Sequence, residues 1–134
     1  TLFPYTTLFR SDPTATITNS DYDICDGDPT AGDVTVEFTG APNFDLQYSI
    51  TDQAGTTTNF TEEDITGETF TIDIPDNLTN DSPTDDQTYV VTLMQMNDGF
   101  TGNGELINDT FTITIHPTIE TGPITSDNAL TRNP

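Results

Sequence analysis

Apolar and polar residues alternate with a period of two through several short runs of the chain. In "DVTVEFT", Val34, Val36 and Phe38 share one face, while Asp33, Thr35, Glu37 and Thr39 share the other. Successive side chains of a strand point to opposite sides, so this run predicts a strand with one buried face. After the turn signal "GAPN", Phe44, Leu46, Tyr48 and Ile50 repeat the pattern, and "DQAG" then turns the chain toward a weaker strand in "TTTNF". "TFTIDI" directs Phe70, Ile72 and Ile74 inward before Pro75 ends it. "TYVVTLMQM" offers Tyr89, Val91 and Leu93 as an inner face, and "TFTITI" closes the series with Phe111, Ile113 and Ile115. "TATIT" near the front supplies a first strand. The polar positions between are largely Thr, whose branched side chain suits half-exposed, pleated backbone. No segment has a 3.6-residue period, so helix is not expected.

About seven short strands separated by turn signals predict an all-β fold, a two-sheet antiparallel sandwich on an immunoglobulin-like plan. "DDQTYVV" fits a tyrosine corner, in which Tyr89 returns its hydroxyl to the upstream backbone; packing alone is the competing role for that ring.

Charge narrows the function. The 134 residues carry 23 acids against two basic residues, for a net charge of -21, and there is no Lys. Nucleic-acid phosphates and anionic lipid both require cations, so neither is an expected partner. Low hydrophobicity with high charge is also the composition of disordered chains, but regular alternation provides the apolar faces that such chains lack. The length suits one domain, and no apolar stretch is long enough for membrane insertion. "TLFPYTTLFRS", Thr1 to Ser11, is the in-frame translation of a common short-read sequencing adapter, so residues 1–11 are expected to be non-native and are set aside. Setting them aside removes Arg10 and no acid, moving the balance from 2 − 23 = -21 to 1 − 23 = -22. Cys25 is the sole cysteine and permits no internal disulfide.

Three pieces of sequence, in this order, carry a resemblance: "PTATIT" followed by "ICDGD", "TYVVTLMQMNDG", and "FTITIHP". Together they resemble the immunoglobulin-like (PKD-like) repeats of large secreted or cell-surface Bacteroidota proteins, including adhesins and gliding-motility-associated proteins. The resemblance covers roughly Pro13 to Pro117. It implies an extracellular or cell-surface module whose partners are neighbouring repeats and a surface glycan or protein. In such repeats a cysteine before the last strand can pair with the one in the "ICDGD" segment. Here Phe100 stands in its place, which implies that Cys25 is a small buried hydrophobe facing Phe100. Residues 12–117 are therefore expected to form the domain, and residues 118–134, where alternation gives way to Gly, Pro and Asn, a linker or the start of a following repeat.

Candidate chemistry is sparse. His116 is the only histidine, and neither a G-x-S-x-G elbow nor a second histidine is present to support a serine nucleophile. Trp is absent, which removes the best sugar-stacking ring, and no enzyme activity is expected. Hard oxygen ligands are plentiful, with Asp21, Asp23, Asp26 and Asp28 in one stretch and Asp81, Asp85 and Asp86 in another. These are the candidate calcium ligands, although the spacing does not match an EF-hand loop. The competing role is a solvated acidic surface. The sequence thus favours a non-enzymatic spacer or adhesive repeat without a cofactor, with a calcium- or glycan-binding module as the alternative.

Overall fold

The computed structural model describes residues 12–100 and 105–119. Residues 1–11, expected to be non-native, and most of the expected linker lie outside the described residues. Those described form nine strands and no helix: β1 Thr14–Ile17, β2 Tyr22–Cys25, β3 Val34–Thr39, β4 Phe44–Thr51, β5 Thr57–Ile65, β6 Thr69–Ile72, β7 Gln87–Asn97, β8 Glu105–Leu106 and β9 Thr110–His116. One sheet runs β1-β3-β6; the other runs β2-β9-β7-β4-β5, with β8 also pairing β7. This is the two-sheet immunoglobulin-like sandwich that the alternation predicts.

Two features depart from the expected plan. The front of the chain contributes two strands instead of one, and β2 lies parallel to β9, with Tyr22 opposite Ile113 and Cys25 opposite His116. Between Ile17 and Tyr22 the chain passes from one sheet to the other without reversing, so β2 runs in the same direction as β9. Side-chain acceptors seal that crossing. Asn19 Oδ1 accepts from Thr35 N at 2.8 Å, Asp21 Oδ1 from Thr112 N at 2.8 Å, and Asp109 Oδ2 from Ile17 N at 2.7 Å. Backbone donors stripped of a ladder partner need such acceptors.

The core lies between the sheets and follows the alternation: Val34, Val36, Leu46, Val91, Leu93 and Ile113 are fully enclosed. Phe38 stacks on Phe44 with ring centroids 4.8 Å apart. The phase breaks once in β7. Gln47 pairs with Gln95 but Tyr48 pairs with Leu93, so Met94 is an extra residue. It is 40% exposed, and Met96 becomes the next inward side chain. A bulge of this kind shifts every later residue by one position relative to the core.

Two expected side-chain roles do not hold. Tyr89 is buried, but among the described residues its hydroxyl makes no hydrogen bond to the upstream backbone, so the ring packs without forming a tyrosine corner. Cys25 is exposed, because the strand that turns Ile24 inward turns its neighbour out. It sits beside His116, at the end where β7 begins; Phe100 follows the other end of β7 and is 66% exposed. The eleven residues of β7 separate the two positions, which is far beyond the reach of a disulfide. The equivalence of Cys25 and Phe100 to a bridged pair is therefore incorrect.

The sandwich has two distinct ends. The chain comes in at a leading end, where Pro13 lies beside Gly40 and Thr14 pairs with Thr39. There Asp98 is buried, accepting from Ala41 N at 3.1 Å and from Phe100 N at 3.2 Å. Gly40 has φ +125°, a conformation side chains rarely adopt, and a Cβ there would stand 2.9 Å from Asp98 Oδ2, so a substitution would be strained and would push on that carboxylate. The chain leaves at the opposite, trailing end, where β9 finishes.

Candidate functional site

The trailing end gathers both acidic stretches. The last residue of β9, His116, presents Nδ1 to Asp86 Oδ1 at 2.8 Å and Nε2 to Asp23 Oδ2 at 3.7 Å. Asp23 comes from β2 and Asp86 from the segment before β7, so one imidazole ties three parts of the larger sheet together. The hydrogen bond to Asp86 is the main cause that raises the His116 pKa above its ordinary value of 6.5; the nearby charges of Asp86 and Asp23 add to it.

Asp26, just beyond β2, accepts from Asn80 N at 2.9 Å through Oδ1 and from Thr118 Oγ1 at 2.9 Å through Oδ2. These bonds favour the ionised carboxylate and hold its pKa below 3.8, the bond from Asn80 contributing most. Asn80 is the hub. It is buried, its Nδ2 donates to Ile115 O at 2.7 Å and to Asp85 O at 2.9 Å, and its Oδ1 accepts from Ser82 N at 2.7 Å. A cavity of about 200 Å³ opens here, lined by Asp26, Asn80, Asp81, Ser82, Pro83 and Thr118.

The seven candidate calcium ligands are thus placed as follows. Asp23 and Asp86 flank His116, and Asp26 and Asp81 line the small cavity. Asp85 contributes its carbonyl to Asn80, and its own N–H donates to Ser82 Oγ at 2.9 Å. Asp28 accepts from Cys25 N at 3.2 Å, closing the turn after β2, and Asp21 serves the sheet crossing. Among the described residues no three His, Cys, Asp or Glu side chains converge in a way that could hold a metal ion. The carboxylates of Asp21, Asp26 and Asp28 accept from backbone N–H groups, Asp26 also from the Thr118 hydroxyl, and those of Asp23 and Asp86 face the His116 imidazole.

Sequence reasoning missed Asn80 and Thr118. The signal available for Asn80 was "TNDSP", a cluster that favours local side-chain-to-backbone bonds. Both ring nitrogens of His116 face carboxylates, so its side chain is committed to Asp86 and Asp23. What the arrangement does is anchor the chain where it leaves the sandwich.

The sequence matches, over residues 10–121, the family described as nucleoporin pom152-like, immunoglobulin-like domain. The chain belongs to that family. A search of the curated proteins finds no significant match. Among solved structures, the crystal structure of the Calx CBD2 domain superposes with a TM-score of 0.45 at 14% identity, covering 89% of this chain and 94% of that one. Likeness at that level carries no argument about ligand or function.

Proposed function

We propose that the chain is a non-enzymatic spacer, one immunoglobulin-like repeat joined end to end with others in a longer secreted or cell-surface protein. One observation carries this reading: the chain comes in at one end of the sandwich, beside Gly40, and leaves at the other, beside Asp26 and Asn80. Modules connected in that way lie in a row instead of folding back on each other. Tension applied through the two ends would also load β2 and β9 in opposite directions. Because the two strands are parallel neighbours, their ladder bonds would share that load in shear.

Three copies linked head to tail should be extended in small-angle X-ray scattering, each copy adding on the order of 35 Å, the span of an eleven-residue strand at ~3.3 Å per residue. A maximum dimension that stays near that of one copy would sink the spacer reading. A calcium- or glycan-binding role is the second reading, favoured by the convergence of two acidic stretches on the trailing end. It requires saturable binding that Asp23→Asn or Asp26→Asn removes. For calcium, it also requires a rise in melting temperature at about 0.15 M ionic strength that magnesium does not reproduce. The backbone bonds already held by Asp21, Asp26 and Asp28 favour the spacer.

A further inference from the structure

The two sheets differ in width, and the difference opens a groove. Three strands face a path of five, so the inner side of β5 is only partly covered. Phe60 of β5 is half-buried there, stacked on Tyr48 with ring centroids 5.0 Å apart. The groove, about 360 Å³, runs between the turn that joins β4 to β5 and the segment that follows β6. Ile50, Phe60 and Leu78 are among its apolar walls, and Tyr89 of β7 also lines it. That volume lies at the small end of ligand sites.

Tyr89 points to a ligand. It is only 5% exposed, yet among the described residues its hydroxyl has no hydrogen-bond partner. Nor is that hydroxyl sealed in: among the described residues the one buried side-chain N or O atom without a partner is Asn97 Oδ1. The phenol oxygen therefore keeps its contact with the groove. A polar group in such surroundings is satisfied by water or by the polar atom of a ligand. Burial raises its pKa, and the charges of Asp73 and Asp52 raise it further, so it stays a neutral donor and acceptor.

Asp52 supplies a second fixed point. Its Oδ1 accepts from Ala54 N at 3.0 Å and from Thr56 N at 2.9 Å, which locks the carboxylate at the turn, while Oδ2 has no partner among the described residues. Asp52 is the only charged residue of the lining. The other polar side chains, such as Gln53, Thr58 and Asn77, are neutral amides and hydroxyls that donate as well as accept. An anion is repelled by Asp52 and by the net charge of -21. A simple cation would use one carboxylate and leave the amides, hydroxyls and apolar walls without a role. What matches the whole lining is a rigid neutral ring with hydroxyls around its edge and C–H groups on its face.

We propose that this groove binds one pyranose ring of a neutral glycan. The C–H face of the sugar lies on Phe60 and Ile50, one hydroxyl donates to Asp52 Oδ2, and another pairs with the hydroxyl of Tyr89. Phe60 takes the part that Trp would otherwise play. Its stack on Tyr48, with an interplanar angle of 14°, holds it in place, so binding has little left to order. The lining shares no residue with the cavity at Asp26 and Asn80, so the site is separate from the acids of the trailing end. It is also independent of the spacer reading, because linked copies keep their length whether or not a sugar binds.

The probes are the methyl pyranosides of glucose, galactose and mannose, with methyl glucosaminide as a cationic counterpart and methyl glucuronide as an anionic one. NMR amide shifts on the intact chain should saturate with at least one neutral glycoside, at a Kd on the order of 1 mM. The shifts should be confined to residues 50–60, 75–78 and 89. Tyr89→Phe removes only the hydroxyl and should weaken binding about fivefold, the worth of one neutral hydrogen bond. It should leave the melting temperature unchanged, because that hydroxyl has no partner among the described residues. Asp52→Asn should weaken binding about threefold. The turn should persist, because Asn keeps the Oδ1 that accepts from Ala54 N and Thr56 N. Glu37→Gln, on β3, should change affinity less than about twofold. The proposal is overturned by the absence of saturable shifts with all three neutral glycosides, by tighter binding of the glucosaminide or glucuronide than of any neutral one, or by unchanged affinity in Tyr89→Phe. Loss of binding in Asp23→Asn would assign the sugar to the trailing end and overturn it as well.

Discussion

The two ends of the sandwich solve opposite problems with different polar groups. At the leading end the groups needing partners are N–H donors, those of Ala41 and Phe100, and a buried carboxylate, Asp98, accepts from both. At the trailing end the groups needing partners include carbonyls, those of Ile115 and Asp85, and a buried amide, Asn80, donates to both. An ionised carboxylate only accepts, whereas an amide can also donate. In a chain without Lys, side-chain donors come mostly from neutral groups, the amides of Asn and Gln and the hydroxyls of Ser, Thr and Tyr, while carboxylate acceptors are abundant. The acids are therefore structural wherever backbone N–H groups lack a ladder partner, and Asn80 is placed where an acid would fail.

Exchanging the two chemistries breaks the comparison most strongly at the trailing end. Asn80→Asp would set a buried carboxylate against the carbonyl oxygens of Ile115 and Asp85, with both donors lost. It should cost about 4 kcal/mol in urea denaturation, as uncompensated buried charges do. The same protein at low pH should recover part of the loss, because a protonated carboxyl donates. A cost at neutral pH no larger than that of Asn80→Ala would show that Asn80 is not held by its donors.

Asp98→Ala is the matching change at the leading end. It leaves the N–H groups of Ala41 and Phe100 without their acceptor, and a loss of about 3 kcal/mol is expected for two charge-assisted bonds in a buried setting. Asp98→Asn, which keeps one acceptor oxygen, should lose less. If Asn costs as much as Ala, the charge on Asp98 matters more than its geometry.

The legible part of the fold is the part governed by local alternation. Val34, Val36, Phe38, Phe111, Ile113 and Ile115 face inward as the period-two pattern requires, since which face a residue takes follows from its position in the strand. The Met94 bulge was not legible, because it is set by the partner strand, with Tyr48 opposite Leu93 and Gln47 opposite Gln95. Tyr22–Cys25 sits within an Asp-rich stretch that looks like loop, and its strand character depends on the free edge of β9 more than eighty residues away. The acids were legible as charge but not as acceptors. Nothing local to Asp21 says that Thr112 N will need it, and nothing local to Asp26 points to Asn80 and Thr118.

The smallest expected effect tests whether the trailing end also carries an electrostatic clasp. His116 bridges Asp86 and Asp23, and its pKa is raised above 6.5 in the folded chain. A raised folded pKa means that the native state holds the proton more tightly than the unfolded one. The contribution is therefore complete below 6.5 and fades as pH climbs through the higher folded value. His116→Ala should lower the melting temperature more at about pH 5.5 than at about pH 8.5, the interval in which an imidazole changes charge. Asp26 does not confuse this reading. Its pKa is lowered from 3.8, so its contribution is complete above that value and is lost only as pH falls through the still lower folded one. Both carboxylates facing the imidazole are exposed, so added salt should shrink the acid-side difference as well. A melting difference that ignores both pH and salt would mean that His116 acts through packing alone, leaving Asn80 as the group that fastens this end.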